Sequence, residues 1–199
     1  MAKDIIDTAA RVAELLKDLT GSSEVQSWVC GELVPGTGHA LELTDPATGE
    51  VFARYKDAGA DVVAQAAEAA TRAQKEWFAK TASERGRIMF EIGRQLRTNA
   101  DALSELEALS SGRPIRDTTG EPARMAEMFE YYAGWCDKIS GDVIPVPSTH
   151  LNYTRHEPLG VVTETDQALS AGATRIHEDC AGNRAFDWSL DGGDGDIDG

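Results

Sequence analysis

The sequence predicts an α/β fold that is mostly helical and carries a β-hairpin arm. Three observations lead there. Apolar residues recur at helical spacing in several separate runs, and β-formers alternate with turn residues over residues 25–55. Two short extended runs near residues 142–157 read as the arms of a hairpin. The expected organisation is an amphipathic N-terminal helix within 1–24, a main unit over 25–162 with its hairpin arm near 142–157, and a divergent acidic tail over 163–199 whose composition leaves disorder open. At 199 residues the chain can bury roughly 70% of its unfolded surface without disulfides or metal staples.

Over residues 3–19, Ile5, Ala9, Val12, Leu16 and Leu19 fall on one helical face, with Ile6 and Leu15 beside them and charges opposite. Gly21-Ser22-Ser23 ends this helix. Over residues 25–55, Val25, Trp28, Val29, Leu41, Leu43, Val51 and Phe52 alternate with turn residues, so short strands are expected. Asp45-Pro46-Ala47-Thr48-Gly49-Glu50 is a tight turn, with Pro46 fixing φ and Gly49 free to take positive φ.

Asp61 is expected to cap a helix that buries Val62, Ala66, Ala69, Ala70 and Ala73 and ends near Trp77-Phe78. Thr81-Ala82-Ser83-Glu84 is a capping box, followed by a stripe of Ile88, Met89, Ile92 and Leu96 expected to be buried. Asn99 is expected to cap a third helix carrying Leu103, Leu106 and Leu109 and stopped by Gly112. From Arg113-Pro114 a further helical stretch, interrupted at Gly120 and Pro122, should run through Met125, Met128, Phe129, Tyr132 and Trp135 to Gly141, with its methionines and aromatics in the core. Residues 142–147 and 151–155 form the hairpin, Pro145 and Pro147 placing the first arm at an edge.

Composition excludes several roles. The 34 acidic against 19 basic residues give a formal charge of -15, which repels nucleic-acid phosphates where no basic patch intervenes, and none is found. No run approaches the ~20 apolar residues of a membrane span and no secretory leader opens the chain, so neither nucleic acid nor membrane is an expected partner and a cytoplasmic location is expected. Cys30, Cys136 and Cys180 are widely spaced and read as structural thiols.

The order of these motifs resembles the amino-terminal part of the aldehyde dehydrogenase superfamily. The resemblance covers residues 28–162. It rests on Asp45-Pro46-Ala47-Thr48-Gly49-Glu50, Ala69-Ala70, Trp77, Arg85-Gly86-Arg87-Ile88, Leu106-Glu107, Ser111-Gly112-Arg113-Pro114, Tyr131-Tyr132-Ala133-Gly134, Gly141 and His156-Glu157-Pro158-Leu159-Gly160-Val161-Val162. It implies an incomplete Rossmann-like cofactor domain, mostly helical in this fragment, with the hairpin as an oligomerisation arm. In that family none of these residues is catalytic, so the expected sites are none for catalysis, cofactor or metal. The family's Pro-Trp-Asn motif should follow Val162, and its asparagine helps hold an oxyanion; here Thr163-Glu164-Thr165-Asp166-Gln167 follows instead. Cys180-Ala181-Gly182-Asn183 resembles the family's Ala-Ala-Gly-Asn, but His177-Glu178-Asp179 before it does not match the nucleophile motif.

The tail holds nine acids and two arginines. Asp194-Gly195-Asp196-Ile197-Asp198-Gly199 matches half of a calcium loop without its closing glutamate, and a solvated acidic tail is the expected reading. His39, His150, His156 and His177 lack metal-pair spacing, and His177-Glu178-Asp179-Cys180 falls short of a zinc set. The leading expectation is a truncated family homologue: a non-catalytic structural or regulatory subunit, or a degenerate gene product. The alternative is part of a split NAD(P)-dependent aldehyde dehydrogenase active only with a full-length or complementary chain; a calcium-responsive module is a third. No cofactor is expected for the isolated chain, against NAD or NADP in the family. The expected partner is a second copy or a full-length homologue.

Overall fold

The structure is a computed structural model that describes residues 7–162. Ile5, Ile6, Cys180, His177, the half calcium loop and the rest of the tail lie outside the described residues. About half of the described chain is helical, and its strands form three separate two-stranded antiparallel ribbons.

Helix α1 (Thr8–Thr20) begins where the Asp7 carboxylate accepts from the Ala10 amide at 3.1 Å, and it ends at Gly21 with φ +83. Val12 and Leu15 are its buried residues. Strands β1 (Ser27–Val29) and β2 (Glu32–Val34) pair around a two-residue loop, Cys30-Gly31, in which both residues have positive φ. That backbone follows the right-handed twist of a hairpin. Strands β3 (Ala40–Thr44) and β4 (Val51–Lys56) form the second ribbon, with an irregularity at Leu43/Thr44.

Helix α2 (Gly59–Ala79) lays Val62, Ala66 and Ala69 against Val29, as the alanine spacing requires, and Val34 packs on the same cluster. It starts two residues before Asp61, which therefore sits inside the first turn. There its charge faces the positive helix end, but its side chain makes no cap. Trp77 is buried and Phe78 is exposed.

Helix α3 (Ala82–Thr98) opens on the expected capping box: Glu84 accepts from the Thr81 amide at 2.8 Å, and Thr81 accepts from the Glu84 amide. Its buried face differs from the expected stripe. Met89 is buried, but Ile88, Ile92 and Leu96 are only half-buried, and the closest packing is at Gly86 and Gly93. Helix α4 (Ala100–Ser111) follows at once. Asn99 spends its side-chain amide on the Gln95 carbonyl at 2.9 Å instead of capping α4. The helix stops at Gly112, φ +75, and its buried residue is Ser104, with Leu103, Leu106 and Leu109 half-buried.

The short α5 (Ile115–Thr118) is locked by Thr118, 0% exposed, whose hydroxyl donates to the Ser104 carbonyl at 2.9 Å. Helix α6 (Glu121–Ala133) ends at Gly134 and not at Gly141. Turns follow it, including Trp135 amide to Tyr132 carbonyl at 3.0 Å and Lys138 amide to Trp135 carbonyl at 2.9 Å. Its buried residues are Pro122, Ala126 and Ala133, whereas Met125 and Trp135 are exposed, contrary to the expected apolar core. The reason is packing distance. Gly86 and Gly93 on α3 face Ala133 and Ala126 on the antiparallel α6, and small residues seven apart let the two backbones approach where large side chains could not. Arg97 closes this pair with two bonds to Glu130, each 2.9 Å.

Strands β5 (Val143–Ile144) and β6 (Asn152–Tyr153) form the hairpin. The ladder is closed by the Thr154 amide donating to the Asp142 carbonyl at 2.9 Å and stops before Pro145, which has no amide to give.

Candidate functional site

Two cysteines can be placed. Cys30 is exposed in the β1–β2 loop at φ +50. Cys136 lies 3.7 Å from the Met89 sulfur and 3.6 Å from the Tyr132 carbonyl. Burial pushes its thiol up from the ordinary value, which keeps it protonated and a poor nucleophile. Among the described residues no three His, Cys, Asp or Glu side chains gather to hold a metal, and no helix is long and apolar enough to cross a membrane.

Gly36-Thr37-Gly38 is a glycine-containing turn of the kind that could cradle a dinucleotide phosphate. It does not fit one. Thr37 and Gly38 give their amides to the Ala58 and Asp57 carbonyls at 3.1 and 2.9 Å, and the space beside Gly36 is filled by the Lys56 and Asp57 carbonyl oxygens. Those acceptors would repel a pyrophosphate, and the amides that could bind it are already used. The segment is a clasp that holds β4 to the start of α2.

A second junction forms around Asp45. Its carboxylate accepts from the Thr8 hydroxyl at 2.6 Å and from the Ala47 and Thr48 amides at 2.7 and 3.3 Å, while Pro46 packs against Gly112. The turn between β3 and β4 thereby joins α1 to the end of α4. The Thr8 hydroxyl first, then the Ala47 amide, lower the Asp45 pKa. Arg11 similarly lowers that of Glu105, and Arg97 that of Glu130.

The folded state therefore binds fewer protons than the unfolded one near the ordinary carboxylate range of roughly 3.9 to 4.3. The stabilisation is complete above that range and is lost as pH falls through the lowered values. The urea midpoint is expected to hold from about pH 7 to 5.5 and to fall below about pH 4. Asp45→Asn should lose less between pH 5 and 3 than the unaltered chain, because asparagine has no carboxylate to protonate, and the comparison largely cancels the titration of the other groups. Equal losses would show that Asp45 does not contribute.

The open face is elsewhere. Val143 is 75% and Leu151 77% exposed, and Tyr153, Leu159, Ile139 and Tyr131 are exposed as well. Among the described residues, both strands of the β5–β6 ribbon pair only with each other, so each leaves one edge of backbone donors and acceptors without a described partner.

A family model described as the aldehyde dehydrogenase family matches residues 33–164. The chain belongs to that family. DhaS of Bacillus subtilis (strain 168), assigned to the aldehyde dehydrogenases, is 40% identical over 139 residues, which is 68% of this chain and 28% of DhaS. An aldehyde dehydrogenase from Bacillus cereus, solved as its NAD+ complex, is 33% identical with a TM-score of 0.64, over 68% of this chain and 28% of that one. PnpE from Pseudomonas sp. WBC-3 is 36% identical with a TM-score of 0.60, over 65% and 27%. The chain thus spans under a third of the aldehyde dehydrogenases it matches. The α/β class follows from these neighbours, and α1 precedes the residues matched by the family model.

Three features of this aldehyde dehydrogenase region escape a reading of composition and period: the clasp at Gly36, the Asp45 junction and the Gly86/Gly93 face. Glycines seven apart in α3 opposite alanines seven apart in α6 are the one signal in the sequence that could have shown the last.

Proposed function

We propose that residues 25–162 act as scaffold for an aldehyde dehydrogenase cofactor domain of Rossmann-like layout, and that the hairpin joins this chain to a second copy or to a full-length family member. In this reading the chain is a non-catalytic structural or regulatory subunit. The groups that react with aldehyde and hold NAD or NADP are supplied by another chain. The observation that carries the proposal is the β5–β6 ribbon, whose edges have no strand partner among the described residues and lie beside exposed Val143, Leu151 and Tyr153. An extended segment can add to such an edge through backbone bonds while the apolar side chains enter pockets. Pro145 and Pro147 blunt the first arm, leaving the second as the better strand donor.

Light scattering tests this. The purified chain at tens of micromolar is expected to exceed its monomer mass of 21.4 kDa, alone or with a full-length homologue, and Leu151→Asp with Tyr153→Asp should restore the monomer. The same sample should reduce neither NAD nor NADP with an aldehyde. A monomer that ignores the homologue at that concentration, a binding free energy weaker than about -6 kcal/mol, refutes the association. Turnover by the chain alone that Cys180→Ala abolishes refutes the scaffold role.

A further inference from the structure

We infer that α1 is a strap that opens as a unit about the turn at Gly21 while the remainder of the chain stays folded. Among the described residues, the helix borders two open grooves, the first along four of its side chains and the second through Leu19. The first, about 380 Å³, lies between Ala9, Val12, Ala13 and Leu16 of α1 and residues 52–56 of β4. The second, about 550 Å³, runs from Leu19 along Ile88, Ile92 and Leu96 of α3 to Leu103 of α4. A helix seated in a finished core would have both sides filled to crystal-like density.

What holds α1 is correspondingly little. Two of its residues, Val12 and Leu15, are buried, and the core cluster of Val29, Val62, Ala66 and Ala69 contains none of them. Among the described residues, two side-chain ties to other elements supplement that burial. Arg11 forks onto Glu105 of α4 with bonds of 2.7 and 2.6 Å, and Thr8 donates to Asp45 at 2.6 Å. Both ties are only partly buried, so water competes for them.

The hinge is built for rotation. Gly21 holds a left-handed φ of +83, and residues 22–26 pair with no strand before β1 begins. Off its seat, a helix of 13 residues is too short to persist in water, so opening and melting of α1 are one event. That event removes the α1 side of the first groove and Leu19 from the second, and it uncovers the neighbouring apolar side chains of β4 and Leu103 of α4 together. The α3–α6 contact stays in place, because it rests on Gly86, Met89, Gly93, Ala126 and Ala133 and on the Arg97–Glu130 fork, all of them outside α1.

Hydrogen exchange read by mass spectrometry on the full chain decides the matter. Amides of residues 8–20 are expected to exchange at least about tenfold faster than those of α3 and α6. Arg11→Gln and Thr8→Ala should each speed α1 a further three- to tenfold or about that, leaving α3 and α6 within about twofold. Thr8→Ala is the stricter variant, since alanine is the better helix former and intrinsic propensity alone would slow α1. Exchange of α1 in step with α3 and α6, or acceleration of all three helices by either variant, overturns the strap. So does an α1 rate that neither variant changes.

Discussion

Gly93→Leu is expected to lower the thermal midpoint by roughly 6–12 °C, the equivalent of about 3 kcal/mol in a domain of this size. A Cβ at Gly93 would already lie 3.1 Å from Glu130 Cγ and 3.2 Å from the Ala126 carbonyl, and Ala126 is 0% exposed. The first neighbour is a side chain and can shift, at the cost of its fork with Arg97; the second is backbone and cannot. Two effects compete at this position. Removing a glycine from a helix interior gains about 1 kcal/mol of propensity, which for Gly93→Ala nearly offsets the contact strain. Leucine gains no more propensity than alanine but adds three carbons where the helices touch, so overpacking wins. The series Gly93→Ala then Gly93→Leu, followed by circular dichroism, should show a near-neutral first step and a large second one. A leucine variant as stable as the alanine variant would mean that α3 and α6 do not pack as closely as the structure has them.

Gly36→Ala carries the second large effect. The added methyl meets the Lys56 and Asp57 carbonyl oxygens inside van der Waals contact, and both are backbone atoms fixed by β4 and by the start of α2. To relieve the clash the clasp must move away. That breaks Thr37 to Ala58, Gly38 to Asp57 and Asp57 to His39, three backbone bonds at roughly 1 kcal/mol each. A loss of about 3 kcal/mol in urea titration is expected. Gly120→Ala is the matched control, because nothing lies within 4 Å of a Cβ there and its φ of -85 suits any residue. It should change stability by less than about 0.5 kcal/mol. If Gly36→Ala is as mild as the control, the clasp does not hold β4 to α2.

Much of this protein is legible one segment at a time. Thr81 and Glu84 are three residues apart, and their reciprocal bonds need no other part of the chain. Gly21 and Gly112 end helices by adopting a backbone that other residues resist, again a local matter. The alanine spacing of α2 marks its buried face because a helix repeats every 3.6 residues whatever covers it. Pro145 ends the β5–β6 ladder by lacking an amide. The ordered motifs between residues 28 and 162 also mark the family, which the match over 33–164 confirms.

Other features were settled only when distant segments met. Ile88, Ile92 and Leu96 make as good an apolar stripe as Gly86, Met89 and Gly93 make a close-packing one, and the position of α6 selects the second. Asp61 reads as a cap until the clasp from Gly36 extends α2 backwards to Gly59. Leu103, Leu106 and Leu109 read as a core stripe, yet Ser104 takes the buried place because Thr118, fourteen residues on, hydrogen-bonds its carbonyl. Asp45 explains its own turn from sequence, but its bond to Thr8 spans 37 positions and Arg11 to Glu105 spans 94. The division has one physical cause. Caps, turns and helical period are set by energies between near neighbours, whereas the choice among several plausible buried faces depends on which segments the chain brings together and how closely their backbones can approach.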